Sequence, residues 1–367
     1  MNAQRLQRLT TAILENGLDG VALLPGANLL YLTGIHAHLS ERPLLLFLPA
    51  DDDPAIIIPT LEAAKAEAAG ITRGRIFAWG DDEGYTGAFQ QACAHLELSD
   101  YLLGIEALNM RVLEWELLQR YAPGLTTTHV EPLMASLRMH KDEGELAAMD
   151  RAVSAAETAM NRLLPQIQIG QTEKQIAALL TNELLQAGAQ AIAFGPIVSA
   201  GPNGASPHAV PTDRPIQAGD LLVVDWGAIV DDYPADITRT YAVGEINEEA
   251  RQIYQLVQEA NTRGRAASRP GVACGAVDQA ARTVIANGGY GDYFIHRTGH
   301  GLGLEIHEPP YIMAGNEQRL AEGMVFTVEP GIYVPGLGGV RIEDNLVITA
   351  GGHRSLTSLP RHLIVVG

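Results

Sequence analysis

Between Val223 and Tyr241 the chain reads VVDWGAIVDDYPADITRTY, with Asp225, Asp231, Asp232 and Asp236 set among residues that otherwise look like two β-strands. Strand interiors are depleted in Asp, and burying a carboxylate without a partner is costly. A hairpin of 223–229 and 234–241 turning at Val230–Asp231 places Asp225 directly opposite Asp236, on one face and roughly 5 Å apart at Cβ. Asp231 and Asp232 then fall in the turn, where Asp is common and needs no function. Two acids held together repel, and one is driven toward its neutral form, unless a cation compensates. The alternative is a solvated face on which the pair is incidental.

The rest of the chain favours the cation. In TVEPGIYVPGLGGVRIEDN (327–345) strand-like residues again flank a turn, PGLGG, and acids again sit on both arms, Glu329 and Glu343. Facing requires a bulge or a longer loop here, because the spacing differs. Between the two hairpins lies HRTGHGLGLEIHEPP (296–310), with His296, His300 and His307 among glycines. Four carboxylates and one imidazole suit hard or borderline divalent cations: Mn²⁺ foremost, with Zn²⁺ and Co²⁺ as the other candidates. Carboxylates bridge ions, and paired ions clamp a hydrolytic water and polarise a carbonyl. GHGLGL lacks the Lys-Ser/Thr of a phosphate loop; backbone room beside a metal accounts for its glycines better.

These segments need a scaffold. In the first third, Leu6, Leu9, Ile13 and Leu14 recur at helical spacing in a helix ending at Gly17. The runs GVALLP, PLLLFLP and AIIIP read as buried strands, and TLEAAKAEAAG as a helix with Thr60 at its N-cap and Gly70 past its end. YLLGIEALNMRVLEWELLQR adds a strand and a helix, so this region reads as a small α/β domain. MASLRMHKDEGELAAMDRAVSAAETAMNRLL is one long helical pattern, and the boundary lies between Val130 and His140, giving domains 1–133 and 134–367. Beyond it, helices and antiparallel hairpins mix in an α+β domain.

The chain has 367 residues, 47% hydrophobic and 19% charged, with net charge −18. That composition fits a globular protein with a sizeable core and argues against nucleic acid and anionic membranes as partners. Pro43–Ala50, the longest apolar run, is too short to span a bilayer. Cys93 and Cys274 show no Cys-x-x-Cys spacing, and the N-terminus lacks a signal-peptide apolar core, so a cytoplasmic location is expected.

The ordered set VDWGA, ADITRTY, HRTGHGLGLEIHE, TVEPGIY and VRIEDN closely resembles the pita-bread metallopeptidases, most of all the Xaa-Pro peptidases prolidase and aminopeptidase P. IVSAGPNGASPHAVPTDRPIQAGD matches as well, and ANLLYLTG carries a weaker likeness to the creatinase-type N-terminal domain. The resemblance implies a C-terminal pita-bread domain with an antiparallel sheet flanked by helices, preceded by a smaller α/β domain, in a homodimer. It implies two divalent ions on Asp225, Asp236, His300, Glu329 and Glu343. Glu329 matches the proton shuttle, and His208 and His307 the outer histidines that hydrogen-bond the substrate carbonyl and the tetrahedral intermediate. His296 and Arg341 match positions lining the proline pocket. The implied substrate is a proline-containing peptide, cut before proline as a dipeptide or at a longer peptide's N-terminus.

Apart from the family, His208 is unremarkable in a Pro/Gly-rich loop, His296 suits a core, and Arg341 has acids nearby to pair with. Asp344 follows Glu343 and points away from it in a strand. His36 and His38, in GIHAHLSERP, read as an exposed loop; the alternative that the resemblance implies is a loop approaching the active site of a partner subunit. Other readings are a pita-bread peptidase of another specificity such as methionine aminopeptidase, against which the extra N-terminal domain speaks, and a creatinase-like amidinohydrolase, which does not need the five ligands. A binding module that lost catalysis is disfavoured by the intact ligand set.

Overall fold

The computed structural model describes all 367 residues, which form two compact units, Met1–Arg138 and Met139–Gly367. The division falls after Arg138 rather than after 133, because 133 lies inside the helix Glu131–Arg138. That helix belongs to the first unit: Arg8 Nη2 and Tyr31 Oη both donate to Leu137 O, at 2.9 and 3.0 Å.

The first unit is a six-stranded mixed sheet, in the order Ile76–Trp79, Ala55–Pro59, Leu45–Pro49, Gly20–Leu23, Leu102–Ile105, Thr126–His129. Only Leu45–Pro49 runs antiparallel to both neighbours. Its core joins Leu45, Phe47 and Ile57 to Phe89 and Leu118 from the helices Thr86–His95 and Val112–Tyr121. The first helix, Ala3–Glu15, is capped by Asn2, whose side chain accepts from Arg5 N. Thr60 is not an N-cap. The strand runs up to Pro59, the chain tightens through a 3₁₀ turn at Thr60–Glu62, and the helix starts only at Ala63.

The second unit is α+β, with sheets antiparallel except where Val365–Val366 joins Ile237–Val243. The long helical pattern of the sequence is broken there. Met139–Asp142 leaves the helix, Lys141 N donates to Gly323 O, and Asp142 with Glu145 forms a capping box that starts Glu143–Leu163. That helix and Glu173–Gln186 cover one side of the strand Leu221–Trp226, burying Leu222, Val224 and Trp226. The helices Glu248–Ala267 and Cys274–Asn287 share a second core with Leu221, Ile332, Val340 and Ile342. Alternation along the strand therefore sends even positions into the first core and leaves odd positions, Asp225 included, on the opposite face. Each large buried side chain in these cores contributes about 1.5–3 kcal/mol. No helix is long and apolar enough to cross a membrane.

The first acid-bearing hairpin forms in a different register from the one expected. Asp225 pairs with Thr238, Ile229 with Pro234 and Val230 with Tyr233, so the two-residue turn is Asp231–Asp232. Both have positive φ, +49° and +71°. Such a turn needs two left-handed residues, which Asp tolerates and β-branched Val230 does not. Asp236 thus stands diagonal to Asp225 instead of opposite. The slip is two residues, so both acids stay on one face.

In the second hairpin a three-residue connection, Pro335–Leu337, supplies the longer loop. Gly331 pairs with Arg341 and Val334 with Gly338 in one small sheet, while Val328 pairs with Asp344 in the next. Both pairings keep one register, which puts Glu329 and Glu343 at facing positions between the sheets. There the backbone leaves the hairpin: Glu329 N donates to Thr298 O and Glu343 N to Thr238 O.

Candidate metal centre

Nine side chains singled out in the sequence line one cavity of about 1000 Å³: His208, Asp225, Asp236, His296, His300, His307, Glu329, Arg341 and Glu343. The tightest group is Asp236, His300 and Glu343, each offering a ligand atom within 4.8 Å of the others. His300 Nε2 lies 3.5 Å from Asp236 Oδ2 and 3.3 Å from Glu329 Oε1. His300 Nδ1 donates to Gly301 O at 3.1 Å, which orients the ring with Nε2 toward the acids. The proton placement follows from the hydrogen-bond pattern.

Two buried oxygens in this cavity, Asp225 Oδ1 and Glu343 Oε1, have no hydrogen-bond partner. Buried carboxylate oxygens are normally satisfied, and an unmet one carries a full desolvation penalty. The partner oxygens are held: Asp225 Oδ2 accepts from Arg341 Nη2 at 2.6 Å, and Glu343 Oε2 from Thr238 Oγ1 at 2.6 Å. Each carboxylate is oriented by one bond and keeps one oxygen unmet, so the donor set fits a hard divalent cation.

Electrostatics agree. Burial, with Glu343 and Asp225 close by, pushes the Asp236 carboxyl well above its ordinary range. Burial, with Glu329 and Asp225, does the same to Glu343. Asp225 is raised by burial and held back by Arg341. Burial also pushes Glu329 up, but His300, His296 and Arg341 outweigh it and bring that carboxyl down to about 2. Loss of solvent at the cavity wall, then His300 and Arg297, lower His307 to about 4, so its imidazole is neutral at neutral pH.

Arg341 is one of the acid-paired arginines, and its partner is Asp225. Its guanidinium also donates to Thr238 Oγ1, Pro207 O and Tyr333 Oη. The Tyr333 hydroxyl in turn meets His296 Nε2 at 3.0 Å, and His296 Nδ1 donates to Arg297 O. Burial lowers His296 and raises Tyr333 to about 12, consistent with a neutral imidazole accepting the phenol proton.

Sequence reasoning missed Thr238 and Tyr333. Thr238 carried a signal, since it alternates with Asp236 on the site-facing side; Tyr333 carried none. The buried Lys141–Glu308 ion pair, 2.6 Å, next to His307, was also missed. Asp344 points away, as expected of the residue after Glu343, into Arg239, Arg361, Thr357 and Asn261. His36 and His38 are exposed in the first unit, after the helix Ala27–Thr33.

Residues 147–350 match metallopeptidase family M24, and residues 5–140 match the creatinase/prolidase N-terminal domain. The chain is 38% identical over 368 residues to "Probable dipeptidase PepE" of Mycobacterium tuberculosis, covering 99% of this chain and 96% of that protein. It is 35% identical to the "Xaa-Pro dipeptidase" of Pyrococcus furiosus, covering 98% and 99%. The crystal structure of recombinant prolidase from Thermococcus sibiricus superposes with a TM-score of 0.94 at 34% identity, over the full length of both chains.

The fold is that of a two-domain metal-dependent peptidase, and the chain belongs to metallopeptidase family M24. Membership implies a divalent metal, for which Asp236, His300 and Glu343 form a ready cluster.

Proposed function

We propose that this metallopeptidase cleaves the peptide bond before proline, in dipeptides or at the N-terminus of longer peptides. Two divalent ions, Mn²⁺ foremost with Co²⁺ or Zn²⁺ as alternatives, would be held by Asp225, Asp236, His300, Glu329 and Glu343. The observation that carries the reading is the pair of buried, unsatisfied oxygens, Asp225 Oδ1 and Glu343 Oε1, on residues that line one cavity with the other candidate ligands. Relatives named for Xaa-Pro cleavage support the specificity.

When bound, the ions polarise the scissile carbonyl and raise the acidity of the attacking water. The protein's own groups do the rest. Glu329, ionised at neutral pH, takes a proton from that water and passes it to the leaving proline nitrogen. His307, neutral, donates a hydrogen bond from a ring N–H to the oxygen on which charge develops, and His208 reaches the substrate carbonyl. His296 and Arg341 wall the proline pocket. Their hydrogen bonds to Tyr333 fix both side chains, so the pocket selects by shape.

The reading includes a homodimer, carried over from the resemblance and testable by light scattering. It also includes a reducing cytoplasmic location, supported by two buried, unpaired cysteines. The deciding assay is hydrolysis of Ala-Pro and Ala-Pro-Ala side by side, after metal stripping and Mn²⁺ add-back, with products resolved by mass spectrometry. Cleavage of the dipeptide alone defines a prolidase, and release of Ala from the tripeptide an aminopeptidase P. Intact substrates with metal bound would end the Xaa-Pro reading.

A further inference from the structure

The helix Glu173–Gln186 starts beside the segment that carries His208. Thr172 is its N-cap and Gln175 completes the capping box, so the helix does not need the Glu173 side chain for its start. Yet Glu173 is fully buried, at 0% exposure. Four donors converge on it: Ala200 N on Oε1 at 2.8 Å, and Asn203 Nδ2, Thr212 N and Thr212 Oγ1 on Oε2 at 2.8, 2.8 and 2.6 Å. A carboxylate taken out of water at this cost keeps its place only when its lone pairs are met.

All four donors lie at the two ends of 200–212, and His208 is in the middle. Asn203 Nδ2 also reaches Val210 O at 3.3 Å, two residues beyond His208. From the other side Arg341 Nη1 holds Pro207 O at 3.1 Å. Gly204 packs on Gly339 so closely that a Cβ on Gly339 would lie 2.1 Å from Gly204 O. His208 itself is exposed toward the cavity and stands outside any strand or α-helix. Its location is therefore set by the anchors around it.

We propose that Glu173 is a positioning residue for His208: its buried carboxylate ties both ends of the 200–212 segment and so sets where the imidazole meets the substrate. The proposal rests on the reading of His208 as a substrate-carbonyl partner. In Glu173→Gln the amide NH₂ must face either Ala200 N or the Asn203 and Thr212 donors, setting donor against donor.

The test is a double-mutant cycle on the full-length, Mn²⁺-loaded protein with Ala-Pro: wild type, E173Q, H208A and the double variant. The readouts are kcat and KM, metal content, and amide hydrogen exchange by mass spectrometry. E173Q is expected to lower kcat/KM by about tenfold or more while keeping full metal content. Exchange should rise in 200–212 and stay unchanged elsewhere. In the H208A background the same substitution should cost less than about twofold, the mark of one residue acting through the other. A full multiplicative loss in that background, or unchanged exchange in 200–212, overturns the proposal. If H208A turns over like the wild type, the reading of His208 fails and takes the proposal with it. A wild type that leaves Ala-Pro intact sinks the Xaa-Pro reading alone, and exchange in 200–212 still decides whether Glu173 holds the loop. If E173Q does not fold, N203A, which removes one of the four donors to Glu173 together with the link to Val210, carries the same cycle with the same expected non-additivity.

Discussion

Arg341 Nη2 donates to Asp225 Oδ2 at 2.6 Å, joining two buried residues 116 positions apart. A group proposed to wall the substrate pocket thus also orients a carboxylate proposed to hold metal. Replacing Arg341 by Met should destabilise the metal-free protein by about 3–5 kcal/mol, because Asp225 is left buried and unpaired. Bound metal supplies the missing positive charge, so the loss should shrink when Mn²⁺ is present. Guanidinium unfolding with and without chelator measures both; equal losses would detach Asp225 from the metal.

Thr238 Oγ1 donates to Glu343 Oε2 and accepts from Arg341 Nε. Thr238→Val keeps the shape and removes both bonds. Metal affinity should fall about 10–100-fold, the usual cost of losing a group that orients a ligand. Thr238→Ser should restore most of it. Competition with a chromogenic chelator reads the affinity directly.

Asp344 is buried against Arg239 and Arg361, which hold its carboxyl far below the ordinary carboxylate range in spite of burial. Its folded pKa is depressed, so its contribution is present above the unfolded value of about 3.9 and is lost as pH falls below it. Asp344→Asn should cost about 3–5 kcal/mol at neutral pH. The gap to the wild type should narrow in urea melts as the pH drops below about 4.

Burial raises both cysteine thiols, Cys93 and Cys274, to about 11. A raised folded pKa means that stability is fully present below the unfolded value, about 8.5, and declines as pH climbs toward the folded one. Melting temperature should therefore fall on this account above about pH 8.5. Neither thiol should react with a disulfide reagent in the native protein at pH 8, and both should react in guanidinium. A fast-reacting native thiol would contradict the burial.

How much of this was legible in the sequence depends on the range of the interaction. Alternation along 223–229 and 234–241 placed Asp225 and Asp236 on one face, and a two-residue slip of register could not undo that, because the side-chain period is two. Which residues form the turn depended on backbone conformation: Asp231 and Asp232 accept positive φ and Val230 does not, a preference readable in the sequence that a pattern of alternating residues alone does not weigh. The candidate ligand types were also legible, since acids inside strands conflict with their neighbours unless a cation meets them.

Tertiary structure alone decided the rest. Thr238 and Arg341 reach Glu343 and Asp225 across sheets, Tyr333 closes the chain of bonds from Arg341 to His296, and Glu173 gathers donors from a loop up to 39 residues away. Such contacts leave no periodic trace, because they are set by where separate strands and loops meet in space and not by the repeat of any one element. The sequence by itself determined which groups could bind metal and which face each would share; only the folded chain decided which oxygen of Asp225 and of Glu343 is held and which is left without a partner.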